Sequence, residues 1–295
     1  MEAAKIKNAL TFDVEDYFHV SAFENVVRRE DWDSYECRVL GNTRRILHML
    51  DLFDTRATFF VLGWVAENHP QVVREIAGRG HEVACHGFAH RLAYRMTPEE
   101  FREDVLRAKR AIESASGLPV RGFRAASFSI LRENFWALRI LAGLGFQYDS
   151  SIFPVRHHRY GIPDYPRFPH RIALDRHGAR GELVEFPLST ARVGGLNLPV
   201  AGGGYLRLFS HGYIRWGLRQ VNREGQPGVL YLHPWELDPE QPPMRCGLRT
   251  RVTHYTGLRR TAGSLKKLLD EFRFGPMGEV LESGGLLAKA EGALR

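Results

Sequence analysis

The 295-residue sequence predicts an α/β protein built on a parallel sheet or barrel. Strand-like and helix-like stretches alternate at least four times between residues 9 and 149, the pattern of repeated βα units. The strand-like runs end in polar residues able to bind a metal or move a proton: Asp13, His86, Arg124 and Asp149. In α/β barrels the active site sits at such C-terminal strand ends.

The elements follow in order. Ala9-Leu10-Thr11-Phe12 is a short apolar strand that runs into three acids, Asp13, Glu15 and Asp16. Residues 41–54 carry Ile46, Leu47 and Leu50 at helical spacing. Residues 57–62 read as a buried strand, and 64–78 as one helix stopped near Gly80. Residues 82–85 form the next strand. Thr97-Pro98-Glu99-Glu100 is a helix start, with a cap, a proline at the first position and acids in the first turn. That helix runs to about Ser116. A strand over 120–124, a helix over 132–143 and a strand over 146–149 follow. The stretch 154–181 reads as loop, and its histidines His157, His158, His170 and His177 as surface residues. Residues 182–187 and 229–235 read as strands. Residues 201–205 form a glycine-rich turn without the lysine of a phosphate loop. Residues 261–272 read as a last amphipathic helix, and the tail beyond about Met277 is expected to fray.

The length accommodates one large domain with a sizeable core. The formal net charge is +7 and the pI about 9.5. The arginines are spread along the chain and no nucleic-acid module is recognisable, so the charge reads as a mildly basic surface, with affinity for anionic glycans as the weaker alternative. The three cysteines, Cys37, Cys85 and Cys246, have no motif spacing. That odd number argues for reduced thiols and a cytoplasmic setting. No signal peptide and no apolar run long enough to cross a membrane is expected.

His86 and His90 fall on one face if the backbone turns helically between them, and can then reach one ion. Such an ion needs a third protein ligand and an open position. The acids after the first strand can supply the ligand, and an Asp/Glu-His-His set suits zinc, with cobalt or nickel as alternatives. A carboxylate left free of the metal is a candidate general base. His233 is the candidate proton donor to a leaving group, with Asp149 as the natural partner for its ring. Arg124 is a candidate to hold the catalytic carboxylate ionised and in position. Strand alternation turns Cys85 away from His86, which argues against a thiolate ligand.

These residues occur as Thr11-Phe12-Asp13, His86-x-x-x-His90, Arg124-x-x-x-Phe128, Tyr148-Asp149-Ser150-Ser151 and Leu232-His233, in that order. The set resembles the five motifs of the polysaccharide deacetylase family (NodB homology, carbohydrate esterase family 4). The resemblance covers roughly residues 8–235, with a family-like extension over 236–275. More narrowly, the stretches 12–18, 124–129, 232–236 and 254–256 are similar to the subgroup found with bacterial exopolysaccharide and exosortase loci. The resemblance implies a distorted (β/α) barrel with fewer than eight units, in one catalytic domain over 1–275, followed by a flexible tail over 276–295. It implies metal-dependent removal of N-acetyl groups from an N-acetylglucosamine-type polysaccharide. By motif position it implies Asp13 as general base and His86 and His90 as metal ligands. It further implies that Arg124 orients Asp13, that Asp149 pairs with the acid His233, and that a backbone N–H near Ser127 joins the metal in stabilising the oxyanion.

The chain also departs from the family pattern. The usual first motif has two adjacent aspartates, the second a ligand, and here Val14 follows Asp13. The ligand then shifts to Glu15, which shares a face with Asp13 if the strand continues, or to Asp16 if it ends first. Gly87 stands where Ser or Thr is common. Ala126 stands where proline is usual, which loosens the loop carrying Ser127. Trp235, Tyr17 and Phe18 are candidates for stacking on sugar rings, with core packing the equal alternative. Two rival functions remain: a same-fold amide hydrolase of a small molecule such as a cyclic ureide, and a non-catalytic glycan-binding protein. Asp13, His86, His90 and His233 argue against the second.

Overall fold

The computed structural model describes residues 6–157, 159–174 and 182–289. In chain order it contains β1 (Lys7–Val14), α1 (Val39–Leu52), β2 (Thr58–Val61), α2 (Gly63–Asn68), α3 (Pro70–Gly78), β3 (Glu82–Cys85), α4 (Pro98–Ser116), β4 (Gly122–Phe123), α5 (Trp136–Gly143) and β5 (Tyr148–Asp149). There follow β6 (His170–Ile172), β7 (Leu183–Glu185), β8 (Thr190–Val193), β9 (Leu196–Pro199), α6 (Gly203–Leu208), α7 (His211–Arg223), β10 (Val229–Leu232), α8 (Leu248–Tyr255), α9 (Leu258–Glu271), β11 (Arg273–Gly275) and α10 (Met277–Ser283). The main sheet has the order β10-β1-β2-β3-β4-β5-β7-β6, parallel except for β6, and β11 adds to the start of β1. It curls into an open half-barrel, the distorted and incomplete barrel expected.

Alternation divides the strand side chains between two cores. Ala9, Phe60, Ala84, Tyr148, Val184 and Tyr231 fill the concave side. Leu10, Phe12, Phe59, Val61, Cys85, Phe123 and Leu232 face the surrounding helices, packed with Ile46, Val73, Val105, Leu218 and Leu265. The thiol of Cys85 therefore points into the helix layer, as alternation requires. A third apolar group, including Tyr17, Phe18, Phe23, Trp32 and Trp235, covers one side of the C-terminal strand ends.

Local chemistry explains the helix boundaries. Thr97 and Glu100 form a reciprocal cap at the start of α4, and Gly117 ends it at φ +69°. The single helix expected over 64–78 is two helices, because the residue before Pro70 avoids the α region; His69 sits at φ −132°, ψ 55°. The β8–β9 hairpin, α7 and α8 are additional to the elements expected from sequence, and β6 lies in the stretch expected as loop. Within that stretch His157 stacks on Tyr160 and His170 starts β6, while His158 and His177 lie outside the described residues.

The tail expected to fray is instead structural over 277–283. Met277, Val280 and Leu281 are buried in the concave core. The Met277 N–H donates to Thr58 Oγ1 (2.7 Å) and the Gly278 N–H to Glu82 Oε2 (3.0 Å). These partners stand at the first residues of β2 and β3, so α10 plugs the N-terminal mouth of the half-barrel, opposite the site. Residues 290–295 of the expected tail lie outside the described residues. Met277→Ala is expected to destabilise the protein by about 2–5 kcal/mol through lost burial and a residual cavity. Urea unfolding of the two proteins measures this, and an unchanged midpoint would contradict the plug.

Candidate active site

The site forms where β1, β3, β4 and β10 end. β1 closes in a tight turn, with the Glu15 N–H donating to Asp13 O (3.0 Å). Asp13 stays on the concave side while Glu15 swings beside two imidazoles. His86 continues the concave row of Ala84, and its Nδ1–H donates to the carbonyl of Arg124 (2.8 Å), leaving Nε2 free as an acceptor. Burial, with His90 nearby, pushes the His86 pKa down to about 4 against the pull of Asp13 and Glu15, so the ring is neutral at pH 7. No helical turn joins His86 to His90. Gly87 (φ +74°) and His90 (φ +49°) adopt left-handed conformations, and the two rings lie 5.4 Å apart.

One ligand atom from each of Glu15, His86 and His90 lies within 4.8 Å of the others, and all three residues are buried. His90 Nε2 is 3.0 Å from Glu15 Oε2. Burial would raise the Glu15 pKa, but His90, His233 and His86 outweigh it and hold the carboxyl well below its ordinary range. A buried carboxylate facing two imidazoles is a donor set able to hold a divalent cation. Asp16, the alternative to Glu15, is turned away. It accepts from the N–H groups of Tyr17 (2.9 Å) and Val39 (2.8 Å), capping a short 3₁₀ turn and the start of α1.

Arg124 is fully buried and donates to Asp13 Oδ1 (2.7 Å), Thr11 Oγ1 (2.8 Å), Ser150 Oγ (3.0 Å) and Ser150 O (3.2 Å). Asp13 Oδ2 faces His233 Nε2 at 3.9 Å, and that nitrogen is 3.4 Å from Glu15 Oε1. Burial lowers the His233 pKa, but the Glu236 hydrogen bond and the nearby carboxylates raise it to about 9. In the loop after β4, Ser127 (φ +51°) and Phe128 (φ +54°) are both left-handed, a strained arrangement held by the Phe128 N–H to Ala125 O bond (3.1 Å). Ser127 Oγ lies 2.8 Å from Ser21 Oγ, itself 3.4 Å from His90 Nδ1. A cavity of about 210 Å³ joins these groups, its walls including Asp13, Glu15, His86, His233, Tyr160 and Tyr231.

Three expectations need correction. Asp149 does not pair with His233. Phe123 pairs with Asp149 in register and Asp149 with Glu185, so all three face the helix layer, away from the concave site. Asp149 instead shares a buried carboxyl pair with Glu185 and accepts from Ser151. The partner of His233 Nδ1 is Glu236, at 3.0 Å. Tyr17 is 1% exposed among other aromatics and has no face to offer a sugar. Trp235 lines the cavity, but its two faces are taken by His233 and His254, at 5.2 and 4.3 Å, and its N–H donates to Glu15 Oε1 at 3.4 Å.

Residues 5–148 match the family profile described as Polysaccharide deacetylase. The chain carries a polysaccharide deacetylase domain. The remaining segment, 150–282, matches a domain of unknown function, DUF3473. A chitooligosaccharide deacetylase of Bradyrhizobium sp. (strain ANU 289) is 35% identical over 102 residues, which is 35% of this chain and 47% of that protein. A peptidoglycan-N-acetylglucosamine deacetylase of Bacillus cereus is 29% identical over 96 residues, 32% of this chain and 35% of that protein. The matched stretches thus span less than half of these curated relatives. A solved structure from Mycobacterium smegmatis, a candidate polysaccharide deacetylase, aligns over 98% of this chain and 95% of its own with a TM-score of 0.64 and 22% identity, a likeness of fold.

Within the deacetylase domain and its partner segment, the residues that sequence reasoning overlooked are Glu236, Arg207 and Ser21. Glu236 had a local signal, three residues after His233; Arg207 and Ser21 are distant in sequence and had none.

The Asp149–Glu185 pair sets a pH dependence. Burial raises Asp149 from 3.8 to about 6 and drives Glu185 well above 4.5, with Asp149 beside it adding to the rise. The folded protein therefore holds more protons than the unfolded chain once pH passes the unfolded values, and this contribution to stability falls as pH rises. Glu185→Gln is expected to flatten the decline in urea midpoint between about pH 5 and 7.5. Parallel wild-type and variant profiles would contradict the shared proton.

Proposed function

We propose that this chain hydrolyses the acetamide of an N-acetylglucosamine-type polysaccharide with the help of a divalent metal, in exopolysaccharide biosynthesis. The observation that carries the reading is the convergence on one cavity of a buried Asp13–Arg124 pair, His233 and the Glu15, His86 and His90 donor set. Zinc is the favoured ion, cobalt or nickel the alternatives. Cys37, Cys85 and Cys246 are unpaired, which supports a reducing, cytoplasmic setting. No helix among the described residues is long and apolar enough to cross a membrane.

The chemistry divides among the side chains. A cation held by Glu15, His86 and His90 supplies Lewis acidity towards the acetyl carbonyl and makes water more acidic. Arg124 ties Asp13 Oδ1, so Oδ2 is the oxygen presented as general base. As the water oxygen bonds to the acetyl carbon, its proton passes to Asp13 Oδ2. The former carbonyl oxygen gains negative charge, and the backbone N–H of Ser127 is its assigned donor. When the C–N bond breaks, His233 gives the Nε2 proton to the departing nitrogen. The products are acetate and a free sugar amine.

The test loads the purified chain with zinc, measures bound metal by mass spectrometry and assays acetate release from N-acetylglucosamine oligomers. Asp13→Asn is expected to lower release by about 10²–10⁴-fold with metal still bound. His86→Ala is expected to lose the metal itself. A wild type that binds no metal and releases no acetate would sink the proposal. Ammonia or a ureido acid from cyclic ureides would transfer it to the small-molecule rival.

A further inference from the structure

We infer that the second segment of the chain completes the active site. Within it, Glu236 and Arg207 are positioning residues that fix the ring of His233. The inference rests on the deacetylase reading above. A histidine that delivers a proton from Nε2 needs its other nitrogen held, and Asp149 lies on the wrong face of the sheet to hold it. Glu236 lies one 3₁₀ turn after His233, behind Pro234. Its Oε2 accepts from both the His233 backbone N–H and Nδ1, each at 3.0 Å. One oxygen thereby fixes the backbone and the ring together and directs Nε2 towards Asp13 and Glu15.

The carboxylate is itself clamped. Its Oε1 accepts from Arg207 Nε at 2.7 Å, and both side chains are almost fully buried. Arg207 Nη1 donates to the carbonyls of Thr253 (3.0 Å), His254 (2.8 Å) and Thr256 (3.0 Å), the unpaired oxygens at the end of α8. The carbonyls of a helix C-terminus and a buried carboxylate are thus bound by one guanidinium. Gly203 allows the approach, since a Cβ there would stand 2.0 Å from Glu236 Oε2. That contact accounts for Gly203, and Gly202 is held by Tyr231, whose hydroxyl a Cβ would meet at 2.6 Å. All of these parts lie within 150–282, the segment without an assigned function. The match to the deacetylase profile ends at 148, before His233 and its support.

The test compares wild type, Glu236→Gln, His233→Ala and the double variant, all zinc-loaded, on N-acetylglucosamine oligomers and on 4-nitrophenyl acetate. The aryl leaving group departs without a proton, so it does not depend on an aligned acid. Glu236→Gln is expected to lower kcat on the oligomers about 100-fold with KM within about threefold. The loss on the aryl ester is expected to be at least ten times smaller, with bound zinc unchanged. Because Glu236 acts through His233, the double variant should be no slower on oligomers than His233→Ala alone. Gly203→Ala, which displaces the carboxylate without removing it, should show the same split between amide and ester. An active wild type matched by Glu236→Gln would overturn this inference alone, as would equal losses on both substrates or additive losses in the double variant. A wild type inactive on every oligomer would remove the deacetylase reading and this inference with it.

Discussion

A single buried guanidinium organises the centre of this molecule. Arg124 is the largest side chain without solvent exposure among the described residues, and a charge in that position persists only when an opposite charge and hydrogen-bond acceptors surround it. Its bonds reach Thr11 and Asp13 on β1 and Ser150 after β5, and its face covers Phe60 of β2 at 4.1 Å. Its carbonyl takes the Nδ1–H of His86. The proposed base and one candidate ligand are thus oriented by the side chain and the backbone of one residue. A shift of β4 against β1 would disturb both, so the sheet register and the site geometry are one property.

Much of this was legible in the residues themselves, and the limits have physical causes. Parallel strands buried on both faces are short apolar runs, and the polar residue that ends each run marks the rim of the sheet. That is why Asp13, His86, Arg124 and His233 could be named together. Asp149 ends such a run too, but which face it takes depends on its register with β4, a relation between segments that no single segment carries. Glu15, not Asp16, sits beside the two imidazoles although β1 ends at Val14, because the turn marked by the Glu15 N–H to Asp13 O bond brings it there, a relation that strand alternation alone does not carry. Aromatic residues near the site are equally ambiguous, since Trp235 touches the cavity by its edge while imidazoles occupy its faces. Helix α7 carries Ile214, Leu218 and Val221 at helical spacing and was in principle readable; α10, by contrast, is short, and its burial follows from where the sheet leaves a mouth open.

The two matched segments divide the work unevenly. The first holds the proposed base, its arginine and the three candidate ligands; the second holds the proposed proton donor and its support. Neither contains a complete set. The third apolar cluster joins them, with Tyr17 and Trp32 from the first segment packed with Trp235 and Leu258 from the second. The deacetylase profile, which ends at 148, therefore covers the proposed base and the candidate ligands but not the proposed acid.

The pairing of β1 with β10 and β11 has a consequence for biosynthesis. β1 gains its β10 neighbour only when Val229 has emerged, and the β11 partner on its other side only with Gly275, since Ala9 stands in register with both. Until then β1 presents an unsatisfied edge, and the contacts that satisfy it are among the most distant in the chain. The nascent protein must wait in an open form, exposed to chaperones and to aggregation. Asp13 and His233 meet only when that wait is over, so an incomplete chain carries the proposed base without its proposed acid.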